Sequence, residues 1–306
     1  TIGSGDANTN AHVTVDTVTN TMGTLNIEGH GADVADPAAT NTSALNAKTI
    51  IIGGEGTKEA DKAEVNVKGF ASLNATGTAD GEGLIVGKNG KLVIGVGDAD
   101  KLAQVTGKIQ INGGKVNFNG QKKTGAILGS ESSTIVIAGG VVSNENNDKG
   151  GTIQGSSITL NGTGKITAAH NIDVKGTFAG EAGTITINSG KSGAFVGNST
   201  FTGTKITNNT GVLVIQGTST FADGTLDISA HSGSTIIHAE KATDTSTLNV
   251  SAKELKSGLS GGLASSGAGV SVLDLSSEGE KTVDLASAGT GLLQDANGKV
   301  NAKVTV

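Results

Sequence analysis

Apolar and polar residues alternate in short runs along most of this chain. Thr49–Ile52, Lys91–Ile94, Lys108–Ile111 and Thr134–Ile137 have the pattern, as do Ser157–Leu160, Thr184–Ile187, Val212–Ile215 and Thr225–Ile228. A period of two turns one face to a core and the other to solvent, so each run predicts a short β-strand. Helical periodicity is nearly absent. Ser251–Lys256, ending ahead of Gly258, predicts one or two helical turns, and Ala60–Ala63 reads as another turn or a charged loop. The alternating runs also argue against disorder, which the abundant small polar residues alone would suggest.

The strands recur in modules. Ile109-Gln-Ile111-Asn-Gly-Gly-Lys-Val116 has the form strand, glycine corner, strand. Ile135-Val-Ile137-Ala-Gly-Gly-Val141 and Ile158-Thr-Leu160-Asn-Gly-Thr-Gly-Lys-Ile166 repeat it, and Ile185-Thr-Ile187-Asn-Ser-Gly reads as a fourth copy. The starts lie 26, 23 and 27 residues apart, within the range of solenoid repeats. A second repeat, of 20 residues, relates Asn198–Ile206 to Thr218–Leu226, and Gly176–Gly180 is a weaker copy. One module cannot bury its apolar face alone, whereas stacked modules can. Asn-Gly pairs between apolar runs keep hairpins open as an alternative. Repeat length and short strands favour parallel coils.

These patterns predict an all-β chain folded as a parallel β-helix (β-solenoid) with irregular terminal caps. We read residues 1–306 as a single β-solenoid domain. Residues 1–48 form an N-terminal cap-like segment, 49–250 regular coils, and 251–306 C-terminal coils with an edge strand.

Composition narrows the functional classes. The chain has no Cys, Trp, Tyr or Arg, only 6 Phe, and 49 Gly in 306 residues. Disulfides, thiolate metal sites and cysteine nucleophiles are therefore excluded. Net charge is −6, so no basic footprint for nucleic acid exists, and stacking platforms for bases are missing. No apolar run reaches the length of a transmembrane segment. Residues 1–20 lack the basic start and apolar core of a signal peptide, which reads as a mature or cut product.

The segment Gly211-Val-Leu213-Val-Ile215-Gln-Gly217-Thr-Ser-Thr220-Phe221-Ala-Asp-Gly224-Thr-Leu226-Asp-Ile228 resembles the repeat of bacterial autotransporter passenger domains. That repeat reads G-x-L-x-(L/I)-x-G-x-x-T-(F/Y)-x-G-x-T-x-(I/L). This chain carries one extra residue between Phe221 and Gly224. Residues 197–206 resemble its second half and 176–187 resemble it loosely. The resemblance implies a right-handed parallel β-helix, secreted to the bacterial cell surface, with roles in adhesion, aggregation or biofilm.

Candidate chemistry is sparse. Asp80, Glu82, Asp98 and Asp100 put alternating carboxylates beside glycine turns, a spacing that suits Ca²⁺, so calcium is the one candidate cofactor. The Gly53-Gly-Glu-Gly-Thr-Lys58 run starts like a calcium-binding G-G-x-G-x-D repeat but has Lys58 where the Asp belongs. The five His (His12, His30, His170, His231, His238) are scattered, with His231 and His238 the nearest to a cluster. Gly95-Val-Gly97 lacks the following helix of a dinucleotide fingerprint. Asp173, Asp227 and Glu240 lie on or near expected strands, without a pattern that brings them together. No residue is assigned a catalytic role.

Strand edges exposed at the ends of a coil stack invite another chain. The alternating finish Lys299–Val306 places Val300, Ala302, Val304 and Val306 on one face of an edge that suits self-assembly. Its alternative is the last strand of the chain's own fold. The expectation is a non-enzymatic bacterial surface or matrix protein, adhesin-like, whose Thr/Ser/Asn face meets glycans or copies of itself. A self-assembling fibre or surface-layer subunit is the chief rival, and a polysaccharide-degrading β-helix enzyme is a third reading.

Overall fold

The structure, a computed structural model, describes residues 1–3, 11–29, 43–54, 62–96, 103–119, 126–144, 150–169, 171–188, 191–202 and 204–208, and strand backbone from 212 to 305. Every described element is a β-strand. Strand pairs are parallel, apart from one isolated antiparallel bridge between Asn112 and Gly139. This is an all-β, solenoid-like architecture, and the described Asn-Gly corners, at 89–90, 112–113 and 161–162, do not build hairpins. The chain divides into two compact units, Thr1–Ile158 and Thr159–Val306.

In the first unit, a coil contributes either one long bent strand or two shorter strands to one sheet, and a further strand to the other sheet. Strand β8 (Ala103–Asn112) shows why. Its first half pairs with β5 (Ala71–Ala75), and its second half pairs with β6 (Gly83–Val86). The bend falls at Gly107, whose φ is +110°. A Cβ there would collide with the Ala75 carbonyl oxygen, so only glycine fits. The amide of Gly107 donates to the buried Ser133 Oγ at 3.0 Å, which satisfies it at the corner. The third strand of this coil is β9 (Lys115–Phe118).

Stacking is residue upon like residue. One column runs Leu45, Leu73, Val105, Leu128, Ile153. A second runs Ile50, Leu84, Ile109, Ile135. The second sheet adds Leu25, Val65, Leu92, Val116 and Val142. Apart from Leu25, all these side chains are buried. Each fully buried Leu or Ile contributes about 1.5–3 kcal/mol relative to exposure. That sum replaces the large aromatic core the composition cannot supply.

The second unit follows the same rule with rings added. Strand β15 (Ile172–Gly180) pairs with β17 (Ser192–Val196) and β18 (Ser199–Thr202). Phe178, Phe195 and Phe201 are buried, with centroids 5.0–5.3 Å apart in edge and tilted contacts. Gly180 is the Cα partner of Phe201, and a Cβ there would collide with Thr204 Oγ1. Ser199 Oγ is buried without a hydrogen-bond partner among the described residues. Ser199→Ala is therefore expected to raise stability by about 1 kcal/mol, because it deletes an unsatisfied polar atom. Urea denaturation checks this, and a destabilised variant would contradict it.

Several expectations change. The described residues of Ser251–Lys256 are strand where helical turns are expected: Ser251 closes one strand, and Glu254–Lys256 pairs in parallel with Thr225–Asp227, while Ala252 and Lys253 lie outside the described residues. Within residues 1–48, strands already occur at His12–Asn20 and Gly23–Gly29, in register with the next coil. Ala63 opens strand β4 (Ala63–Gly69) instead of closing a helical turn, while Ala60 lies outside the described residues. The fourth module is also misaligned by sequence: Ile185 stacks on Ile166, the second strand of the preceding module, and not on its first. Phe201 does pair with Phe221, as the 20-residue repeat predicts, but Phe178 pairs with Ser199, two residues from Phe201.

Candidate functional site

Many outward positions of the first unit's coils are polar, although Ile51 and Ile85 also stack there, and in-register stacking turns some of the polar ones into ladders. Asn46 of β3 (Ser43–Ile52) and Asn74 of β5 are Cα partners. Asn74 Nδ2 donates to Asn46 Oδ1 at 2.8 Å, and Thr106 Oγ1 donates to Asn74 Oδ1 at 2.9 Å. Asn46 Nδ2 reaches Thr14 Oγ1 at 3.5 Å. Thr14, Asn46, Asn74 and Thr106 thus form one hydrogen-bonded line across adjacent coils. Ser72, whose Oγ accepts from Asn74 Nδ2 at 3.2 Å, and Gln104, whose Nε2 donates to the Gly129 carbonyl at 3.1 Å, flank it. Alternation put these side chains outside, and the parallel register aligned their amides. Side-chain amides stacked at strand spacing hold each other in place and present a fixed row of donors and acceptors.

The other sheet carries a second ladder. Asn66 Nδ2 donates to Asn26 Oδ1 at 2.9 Å. Beside it, Lys68 Nζ sits 2.8 Å from Glu28, and Lys91 Nζ sits 3.0 Å from Glu64. Partial burial pushes the Glu64 carboxyl up, but hydrogen bonds from Lys91 and Asn66 and the charges of Lys91 and Lys62 outweigh it, so its pKa lies below the ordinary value. A depressed carboxyl adds stability above its unfolded pKa and loses it as pH falls through the folded one. The native chain is therefore expected to exceed Glu64→Gln in stability at neutral pH by under about 1 kcal/mol, with the gap closing in acid. Urea denaturation across pH reads this directly, and a pH-independent gap would contradict it. Lys48 is raised by its hydrogen bond and attraction to Asp16, 2.9 Å away, yet both side chains are exposed and the pair adds little.

Of the calcium candidates, Asp80 and Glu82 have different partners. Glu82 Oε2 accepts the backbone amides of Thr78 and Ala79 at 3.0 and 2.9 Å, closing the turn before β6. Asp80 Oδ1 lies 3.6 Å from Lys108 Nζ. Asp98 and Asp100 lie outside the described residues. Among the described residues, no group of three or more His, Asp or Glu converges on a metal position. His12 is exposed on β1 (His12–Asn20), His238 ends a strand, and His30, His170 and His231 lie outside the described residues. Asp173 and Asp227 belong to strands of different sheets, and Glu240 lies outside the described residues. Of the edge residues, Ala302 and Val304 pair with Ser271 and Leu273, while Val300 and Val306 lie outside the described residues. No helix among the described residues is long and apolar enough to cross a membrane.

Sequence reasoning named the Thr/Ser/Asn face but missed its ladders. The signal was present: Ala44-Leu-Asn-Ala47 recurs as Ser72-Leu-Asn-Ala75, and Leu25-Asn-Ile-Glu-Gly29 as Val65-Asn-Val-Lys-Gly69. The second pair even exchanges Glu28 for Lys68, which become ion-pair partners.

Comparison with protein-family models, curated proteins and solved structures finds no match. The likeness to autotransporter passengers rests on the repeat residues of this chain alone.

Proposed function

We propose that this chain is a non-enzymatic module of a bacterial surface or extracellular matrix. It is secreted, folds as a right-handed β-helix, and works through adhesion or aggregation. What supports the reading is the outward line Thr14, Asn46, Asn74 and Thr106, whose amides and hydroxyls are fixed by their neighbours. Such a row meets a sugar chain with many weak hydrogen bonds whose donors and acceptors are already ordered. The test is binding of the purified chain to a panel of bacterial and host surface polysaccharides. Saturable binding that Asn46→Ala with Asn74→Ala removes, at unchanged β-sheet circular dichroism, is the expected result. Absence of binding to every polysaccharide, together with no self-association, would overturn it.

Assembly by edge addition is the second reading. It starts from the alternating finish Lys299–Val306; strand β30 (Ala302–Thr305) pairs in parallel with the chain's own β27 (Ser271–Asp274), so addition of another copy would have to use its outer edge. Filaments in electron microscopy at rising concentration are its expected result, and a monodisperse chain would contradict it.

A further inference from the structure

Five Asn-Gly pairs occur in the sequence, at 89–90, 112–113, 119–120, 161–162 and 297–298. Such pairs can cyclise: the glycine backbone nitrogen attacks the asparagine Cγ. Glycine allows this because no Cβ stands in the way. The structure treats two of the pairs in opposite ways.

At Asn89–Gly90 the nucleophile is tied down. The Gly90 amide donates to the Gly87 carbonyl at 2.9 Å. Gly90 is buried and opens strand β7 (Gly90–Val96), paired with Ala63. A substituent there would collide with the Ile52 carbonyl oxygen. Attack on Asn89 would break that hydrogen bond and distort a packed corner.

At Asn161–Gly162 the opposite holds. Asn161 ends strand β13 (Gly151–Asn161), and the turn after it closes through Gly164 N–H to the Asn161 carbonyl at 3.0 Å. That bond leaves the Gly162 amide without an acceptor among the described residues. Gly162 is exposed, with φ +56°, and no atom lies within 4 Å of where its Cβ would stand.

We infer that Asn161 is a site of spontaneous deamidation in the folded protein and that the fold protects Asn89. The Gly162 nitrogen forms a bond to Asn161 Cγ, the Cγ–Nδ2 bond breaks, and the amide proton leaves with Nδ2 as ammonia. The resulting succinimide takes up water. Opening at Cγ gives aspartate, and opening at the main-chain carbonyl gives isoaspartate. Either product adds a negative charge at the corner, and isoaspartate also lengthens the backbone there.

The test is incubation of the folded chain at mildly alkaline pH, followed by peptide mapping by mass spectrometry with enzymatic detection of isoaspartate. The expected result is loss of the Asn161 side-chain amide with retention of that of Asn89. In concentrated urea both should convert at similar rates, because the protection of Asn89 belongs to the fold. Gly162→Ala should slow conversion at Asn161 without changing Asn89. Conversion of Asn89 as fast as Asn161 in the folded chain would overturn the inference. So would an Asn161 that reacts in urea but stays intact when folded.

Discussion

Leu73→Ala is expected to lower the stability of the chain by about 2–5 kcal/mol, the range for deleting a fully buried leucine. Leu73 is 0% exposed and lies mid-column between Leu45 and Val105. The cavity cannot close easily, because ladder hydrogen bonds fix the spacing of the coils above and below. Asn74, the next residue, faces outward on the same strand, and Asn74→Ala deletes only ladder bonds. Its cost is expected at about 1 kcal/mol. Urea denaturation of both variants reads the contrast. Equal costs would mean that the inward and outward faces are assigned wrongly.

Gly107→Ala is expected to cost about 3 kcal/mol or more, since it combines a backbone that L-residues rarely adopt with a clash against fixed backbone. The neighbour that must move is the Ala75 carbonyl, a member of the adjacent coil. Gly162→Ala is the control. It also has a positive φ, yet nothing crowds it, so about 1 kcal/mol is expected. Thermal or urea unfolding of the pair separates steric crowding from φ preference. A mild Gly107→Ala would contradict the bent, two-segment form of strand β8.

Legibility in the sequence followed the physics. Ile109 and Ile135 were aligned correctly, because an in-register stack repeats its apolar spacing from coil to coil. Ile185 was misaligned because a period of two gives the same Ile-x-Ile pattern to either sheet. Ser251–Lys256 carries good helix formers, but Glu254–Lys256 is paired on one side with Thr225–Asp227 and on the other with Thr282–Val283. Tertiary pairing outweighs an intrinsic preference of a few tenths of a kcal/mol per residue. The amide ladder escaped notice because it needs register: Asn46 and Asn74 matter only once they stand side by side. Asp80 and Glu82 looked like a pair by spacing, yet a turn aims one at backbone amides and the other at Lys108.

Disulfide trapping tests the parallel register most directly, and a chain without native Cys makes it clean. Asn46 and Asn74 are Cα partners on neighbouring coils, so Asn46→Cys with Asn74→Cys is expected to oxidise to an intramolecular disulfide. Asn46→Cys with Ser72→Cys is expected to stay reduced, because Ser72 is partnered with Ala44 and the diagonal separation is about 7–8 Å. Efficient closure of the second pair and failure of the first would contradict the register, and with it the polar ladder on which the proposed surface role depends.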